Sequence, residues 1–219
     1  MKGQKNKYST LSYYTGILGL SLFVASVFNG GHLIEGYSHL SQFISESYAS
    51  NTEYGLYLRL LGFIPSGLLI LWFSFFVANG FSAIANQSIA KVGLIGFGIT
   101  YGLFTALASV FVCEAGCKGE SLNQMLHNIL GLLTYLTVPI FILLIGKGLS
   151  KNVVTKSLGK KFTILGFICL VSVVLFFSFY DSNFIGLLQR LTEALFLLPI
   201  LLCYLLINRT QGEKNQNQY

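Results

Sequence analysis

The sequence predicts an all-α fold, a polytopic transmembrane helical bundle of about six spans with both termini cytoplasmic. Hydrophobic residues make up 53% of the chain and charged residues only 10%, which leaves too few charges to cover a soluble domain. Apolar runs of roughly 20 residues, enough to cross a bilayer, recur along the chain. The runs are continuous and lack the alternation of a membrane β-barrel, so helices are expected.

Six apolar runs meet this length, and polar segments separate them. The predicted spans are approximately 13–30, 56–78, 91–112, 124–146, 162–180 and 185–207. The first is the weakest, because Gly16, Gly19 and Ser21 dilute it. Lysines precede it as in a signal peptide, but Ser26-Val27-Phe28-Asn29 offers no small-residue cleavage site, so we interpret it as a retained span.

The chain reads as one membrane domain over residues 1–209, followed by a polar tail over residues 210–219 that is predicted to be disordered and cytoplasmic. Eleven of the 14 basic residues fall on the side of the termini, together with one of the 8 acidic residues. The positive-inside rule therefore makes that side cytoplasmic. The excess of basic residues is explained by the orientation of the spans, so no nucleic-acid partner is expected. The expected location is the plasma (inner) membrane of a prokaryote.

The first extracytoplasmic segment, residues 31–55, is longer and more polar than the other loops. Apolar or small residues recur in it at spacings of three and four, at Leu40, Phe43, Ile44 and Ser47. This spacing is typical of an amphipathic helix on the membrane surface. His39, Gln42 and Glu46 would then share one flank of that helix.

All three histidines, His32, His39 and His127, fall on the extracytoplasmic side. His32, Glu35 and His39 are spaced by three and four residues, so a helix could present them on one face. Because Zn²⁺ binds imidazole nitrogen and carboxylate oxygen, the three histidines form a candidate zinc site. No His-Glu-x-x-His motif is present, and the alternative is that these histidines only form hydrogen bonds at the membrane interface.

Two cysteines, Cys113 and Cys117, stand four residues apart in the second extracytoplasmic loop. In an oxidising compartment such a pair predicts a structural disulfide, and a metal or redox role is the alternative. In the sixth span, Arg190 and Glu193 are spaced by three residues and could pair on one helix face. Charged residues inside a membrane span usually face the interior of the bundle. Arg190 and Glu193 could therefore instead line a polar cavity or bind an anionic headgroup.

Several short motifs resemble the membrane family catalogued as domain of unknown function 998. They are Tyr37-Ser38-His39, Ile44-Ser45-Glu46, Cys113-Glu114-Ala115-Gly116-Cys117, His127-Asn128-Ile129-Leu130-Gly131 and Gly186-Leu187-Leu188-Gln189-Arg190-Leu191. The resemblance spans most of the chain and implies a bundle of six or seven helices, with no assigned activity. Ser47 and Tyr48 stand where the family motif has Leu-Gly, and Glu114 and Ala115 where it has Asp-Pro.

The resemblance implies a set of motif residues on one face of the membrane: Ser45, Glu46, Cys113, Glu114, Cys117, His127 and Arg190. The members other than the two cysteines form, with Glu193, a polar cluster that we expect to bind a lipid headgroup, a small solute or a partner. The alternative function is a metal-dependent hydrolase or transferase that acts on lipid at the outer interface. Transport is less favoured, because the inner halves of the spans carry almost no ionisable residues.

Overall fold

The computed structural model describes residues 2–80 and 87–216, and this part of the chain contains helices and no strand. Six of the helices are long and apolar enough to cross a membrane. They are α1 (Lys2–His32), α2 (Gly55–Asn79), α3 (Ser88–Val110), α4 (Leu122–Leu149), α5 (Lys156–Ser178) and α6 (Ile185–Gln216). The predicted all-α bundle of six spans is confirmed, and the direction in which the spans cross stays a prediction.

The outer surface of the bundle is apolar. Large side chains such as Leu61, Ile164 and Val171 are more than half exposed on the spans, as in helices that face lipid. Helices satisfy their own backbone hydrogen bonds, so they can present such a surface to hydrocarbon. The chain is therefore an integral membrane protein.

Small residues let the helices approach one another closely inside the bundle. A Cβ added to Gly67 in α2 would lie 2.4 Å from the backbone oxygen of Gly102 in α3, so alanine cannot fit there without movement. The hydroxyl of Ser66 donates to the Gly19 backbone oxygen in α1 at 2.8 Å. Helix α6 packs against α5 on one side and α1 on the other, which closes the bundle.

Two of the spans contain π-helical turns, Arg59–Phe63 in α2 and Gly98–Leu103 in α3. Such turns insert an extra residue and are frequent at functional sites. The turn in α2 ends just before Pro65, which has no backbone N–H to continue the regular pattern. The turn in α3 contains Tyr101, whose hydroxyl reaches the site described below.

Three connecting segments, residues 33–54, 111–121 and 179–184, meet at one end of the bundle, which we call the polar end. The Ser50 N–H donates to the Cys113 backbone oxygen, and the Leu187 N–H donates to that of Leu40. The amphipathic surface helix predicted in the first segment is wrong, because the segment forms only a 3₁₀ helix over Ile44–Tyr48. Side chains of the loop and of α6 hydrogen-bond to its backbone and so compete with a longer helix.

The last helix is assigned through Gln216, and residues 217–219 lie outside the described part of the chain. The disordered tail over residues 210–219 stays a prediction.

Candidate functional site

The 3₁₀ helix Ile44–Tyr48 forms a roof over the polar end of the bundle, and most of its side chains are buried. One carboxylate oxygen of Glu46 accepts the Phe43 backbone N–H at 2.8 Å, which caps the first turn. The side-chain oxygen of Gln189 in α6 accepts the Ile44 N–H at 2.6 Å. Gly186 allows this close approach, since a Cβ there would lie 2.4 Å from the Gln42 oxygen. The Glu46 carboxylate therefore stabilises the conformation of the loop through its bond to the Phe43 N–H.

Arg190 fastens the first loop to α6. Its Nη1 donates at 2.9 Å to the backbone oxygens of His39, Gln42 and Gly186, and its Nη2 donates to the Tyr37 hydroxyl at 2.6 Å. The guanidinium also lies 5.6 Å from the centre of the Tyr37 ring. Burial raises the pKa of Tyr37, although the Arg190 charge acts in the opposite direction. We call this arrangement the arginine clamp.

Glu193 lies one helical turn beyond Arg190, yet it contacts different partners. One of its carboxylate oxygens accepts the Tyr101 hydroxyl from α3, and the other accepts the Tyr135 hydroxyl from α4, each at 2.9 Å. The pairing of Arg190 with Glu193 that their spacing suggested is thus replaced by two separate networks. A carboxylate has about four lone-pair sites, so Glu193 keeps acceptor capacity for another donor.

His127, in the first turns of α4, is held in a defined orientation. Its Nδ1 lies 2.8 Å from the Ala108 backbone oxygen and 3.1 Å from that of Phe111. Carbonyl oxygens only accept hydrogen bonds, so Nδ1 carries the proton of the neutral ring. Nε2 is then left as an acceptor or metal ligand.

The predicted disulfide between Cys113 and Cys117 is confirmed, and their Cα atoms lie 5.0 Å apart. Cys113 is fully buried, whereas Cys117 is partly exposed. The Ser45 hydroxyl lies 3.2 Å from the Cys117 sulfur. The two sulfurs and a ring nitrogen of His127 lie within 4.8 Å of one another, and this is the only such metal-capable group among the described residues.

A small cavity of about 80 Å³ lies beneath the roof, with room for several water molecules. Its polar lining residues are Ser45, Tyr48, Thr105, His127, Thr134, Tyr135, Gln189 and Glu193. The rest of its wall is apolar and comes mainly from α1, α2 and α3. We call it the inner cavity.

A larger groove of about 480 Å³ lies between α4 and α5 at the polar end. It shares five lining residues with the inner cavity: Ser45, His127, Gly131, Tyr135 and Gln189. Its other lining residues are the apolar Phe43, Leu132, Phe176 and Phe177, together with Cys117, Asn128 and Tyr180. We call it the lateral groove. The shared residues make the inner cavity and the lateral groove one site, and both parts have polar and apolar walls.

A second groove, of about 530 Å³, lies between α1 and α6. Its wall is almost wholly apolar, but it includes His39, Arg190 and Glu193. Glu193 thus lines both this groove and the inner cavity. A third groove, between α5 and α6, is lined by aliphatic residues, Ser172 and Thr192 and includes none of the predicted site residues.

Of the predicted cluster, the structure brings Ser45, His127 and Glu193 together around the inner cavity. Arg190 lies next to them in the clamp. Glu114 is linked to α4 through its backbone N–H, which donates to the side-chain oxygen of Gln124 at 2.8 Å.

His32 and His39 are exposed and do not belong to the group formed by His127 and the two cysteines. Partial burial and then the Arg190 charge lower the pKa of His39. A zinc site made of the three histidines stays a prediction.

Sequence reasoning missed Tyr101, Tyr135, Gln124 and Gln189 as site residues. Each is a polar side chain inside an apolar span, and buried polar groups need partners, which is the signal that could have found them. Tyrosine is common in the apolar spans of this chain, so only the hydrogen bonds of Tyr101 and Tyr135 to Glu193 identify them.

Comparison with known proteins gives one finding. The family model described as "Protein of unknown function (DUF998)" matches residues 17–205. None of the curated proteins matches, and no solved structure does. The matched range includes the arginine clamp, the inner cavity and the lateral groove.

Proposed function

We propose that this chain, which belongs to the DUF998 family of unknown function, binds a lipid at the outer side of the membrane. The polar head would lie in the inner cavity and the acyl chain in the lateral groove. The observation that carries the proposal is the shared lining of these two spaces, which joins a small chamber that contains Glu193 to a larger groove with aromatic walls. An amphiphilic ligand matches both parts.

The groups in the inner cavity favour a head that donates hydrogen bonds. Glu193 offers carboxylate lone pairs, and His127 offers Nε2, since its Nδ1 faces backbone oxygens. Arg190 could have attracted an anionic head, but its Nη1 and Nη2 atoms already donate to loop oxygens. We therefore propose a head with hydroxyl or ammonium donors, such as the glycerol hydroxyl of a diacylglycerol or an ethanolamine.

The lateral groove favours an acyl chain over a water-soluble molecule. Phe43, Phe176 and Phe177 contribute aromatic surface, and Leu132 is about half exposed on the side of α4 that faces lipid. An acyl chain that enters the groove from the bilayer passes from one apolar medium to another, so van der Waals packing against these walls would hold it. A small polar solute would gain little from these walls.

Gly131 provides a steric test, because it lines both the inner cavity and the lateral groove. A Cβ added there meets no atom within 4 Å, so Gly131→Ala fits and should stabilise α4. Gly131→Phe should fill the junction. The chain is reconstituted in phosphatidylcholine nanodiscs that contain diacylglycerol, phosphatidylethanolamine or phosphatidic acid, and retained lipid is measured by native mass spectrometry.

We expect the unmodified chain to retain diacylglycerol or phosphatidylethanolamine about tenfold better than phosphatidic acid, a difference near 1.4 kcal/mol. Gly131→Phe should abolish that preference and Gly131→Ala should keep it. Val171→Trp, placed in the aliphatic groove between α5 and α6, is the matched bulky control and should also keep it. Equal retention of all three lipids by the unmodified chain would contradict the proposal.

A metal-dependent hydrolase or transferase is the second candidate. One observation favours it: Cys117 and His127, two members of the metal-capable group, line the lateral groove. Hydrolysis of the retained lipid by zinc-loaded protein would select this candidate. For location we propose the plasma membrane of a prokaryote, with the polar end outside, on the basis of the loop charges.

A further inference from the structure

We propose that Cys113, Cys117 and His127 form a redox-gated zinc site, which is closed while the two cysteines are disulfide-bonded and binds one Zn²⁺ when they are reduced. The two sulfurs and one ring nitrogen of His127 already lie within 4.8 Å of one another. In a tetrahedral zinc site, Zn–S bonds of about 2.3 Å and Zn–N bonds of about 2.0 Å place two sulfurs and a nitrogen roughly 3.5–3.8 Å apart. Opening the disulfide therefore requires only short movements of the two sulfurs.

The orientation of His127 fits a metal ligand. Nδ1 faces the backbone oxygens of Ala108 and Phe111, so Nε2 carries the lone pair. Histidines that bind metals usually donate their other N–H to a carbonyl or carboxylate, which fixes the ring and its tautomer. The two backbone oxygens supply this support before any metal arrives.

The cysteine turn is attached to the same helix that carries His127. Gln124 is fully buried in α4 and accepts the backbone N–H of Glu114, the residue after Cys113. Gly116 and Cys117 have left-handed φ angles of 64° and 54°, which bring the chain back so that the Cys117 N–H donates to the Glu114 oxygen. These bonds do not involve the sulfurs, so we expect the turn to keep its place when the disulfide opens.

The gating reaction balances with a dithiol as reductant. The dithiol gives two electrons and two protons to the S–S bond, which breaks into two thiols, and the dithiol closes into its own disulfide. Zinc then displaces one proton from each thiol, because the thiolate is the ligand. Cys117 is the sulfur that the reductant can reach, since it is partly exposed at the lateral groove and Cys113 is buried.

Three protein ligands leave a fourth position for water or a substrate atom, as in catalytic zinc sites. Cys117 and His127 both line the lateral groove, so that position would face the ligand space. The inference adds a metal and a redox condition to the site, and it does not depend on whether the groove binds lipid.

The test measures metal directly. The purified chain, oxidised or reduced with a phosphine and desalted without oxygen, is titrated with Zn²⁺, and bound zinc is counted by mass spectrometry of the metal. Co²⁺ replaces zinc in a parallel titration, because thiolate-bound tetrahedral Co²⁺ absorbs in the near ultraviolet and visible. We expect one ion per reduced chain and none per oxidised chain.

Variants assign the ligands. Cys117→Ser and His127→Ala should each weaken zinc binding by the reduced chain at least tenfold. Cys169→Ser removes a buried cysteine in α5 and is the matched control that should change nothing. Zinc bound equally by the oxidised chain, no zinc bound by the reduced chain, or full binding in both ligand variants would each overturn the proposal. Should the ligand variants misfold, the comparison of oxidised and reduced unmodified protein still decides it.

Discussion

Arg190 and Glu193 lie one turn apart on α6, yet one is enclosed by the loop and the other faces a cavity. The arginine donates to three backbone oxygens and a tyrosine hydroxyl, all of which belong to the first loop or to α6 itself. The glutamate accepts hydroxyls from two other helices and lines two spaces. The difference teaches that a charged side chain inside a span can either stabilise the fold or line a cavity. The hydrogen-bond partners around the side chain determine which of the two it does.

The largest effect should come from breaking the arginine clamp. Arg190→Met keeps the length of the side chain but leaves the oxygens of His39 and Gln42 without their donor. We expect a loss of about 3 kcal/mol in the free energy of unfolding, because bonds to charged groups are the stronger ones. Thermal unfolding in nanodiscs measures it. Arg190→Lys should recover part of the loss, and an unchanged melting temperature in Arg190→Met would contradict a clamp.

The disulfide is a second restraint at the polar end and acts on a short loop. Closing a loop of five residues restrains the unfolded chain by about 2 kcal/mol in the entropic treatment. The double variant Cys113→Ser and Cys117→Ser should lose about that much stability in the same unfolding measurement. Cys169→Ser is the control. A loss larger than that of Arg190→Met would reverse the order of the two restraints.

Glu193→Gln tests the other half of the comparison. Glutamine keeps the volume but only one acceptor oxygen, so one of the two tyrosine hydroxyls loses its acceptor and stability should fall by about 1 kcal/mol. Retention of diacylglycerol or phosphatidylethanolamine should fall about tenfold, since charge-assisted hydrogen bonds are stronger than neutral ones. Native mass spectrometry of the reconstituted variant reads this out. A variant that unfolds while its folded fraction retains lipid normally would make Glu193 structural as well.

His39 should produce the smallest effect. Partial burial and then Arg190 lower its pKa below the usual 6.5, so the unfolded chain binds the proton more tightly than the folded chain. Stability is therefore complete above pH 6.5 and declines as the pH falls through that value towards the lowered pKa. His39→Gln should flatten this slope in unfolding scans between pH 5 and 8. A slope that persists unchanged would assign the proton to another group.

Sequence patterns predicted most of the fold because hydrophobicity and length alone specify a membrane span. All six spans and the disulfide follow from composition and spacing. The roof over the site did not follow. The spacing of Leu40, Phe43 and Ile44 favoured a surface helix, but Glu46 and Gln189 take two of its backbone N–H groups, and Gln189 is 145 residues from Ile44.

The candidate site was predicted in part. Arg190 and Glu193 stood out because ionisable groups in apolar spans are rare, and His127 stood out because all three histidines fall on the same predicted side of the membrane. Their partners could not be assigned, since the spacing of Arg190 and Glu193 fits a local pair as well as two separate networks. Tyr101 in α3 and Tyr135 in α4 meet at Glu193 only through helix packing, which no local pattern reports.

The roof has a consequence for how affinity should be expressed. The 3₁₀ helix Ile44–Tyr48 covers the polar end, and the lateral groove lies between two spans, so a lipid of the kind that we propose would enter from the bilayer plane. Its occupancy would then depend on the mole fraction of that lipid in its leaflet, and the bulk concentration would matter only through partitioning. Diluting the vesicles at constant lipid composition should leave occupancy unchanged, whereas adding phosphatidylcholine to the same bilayers should lower it.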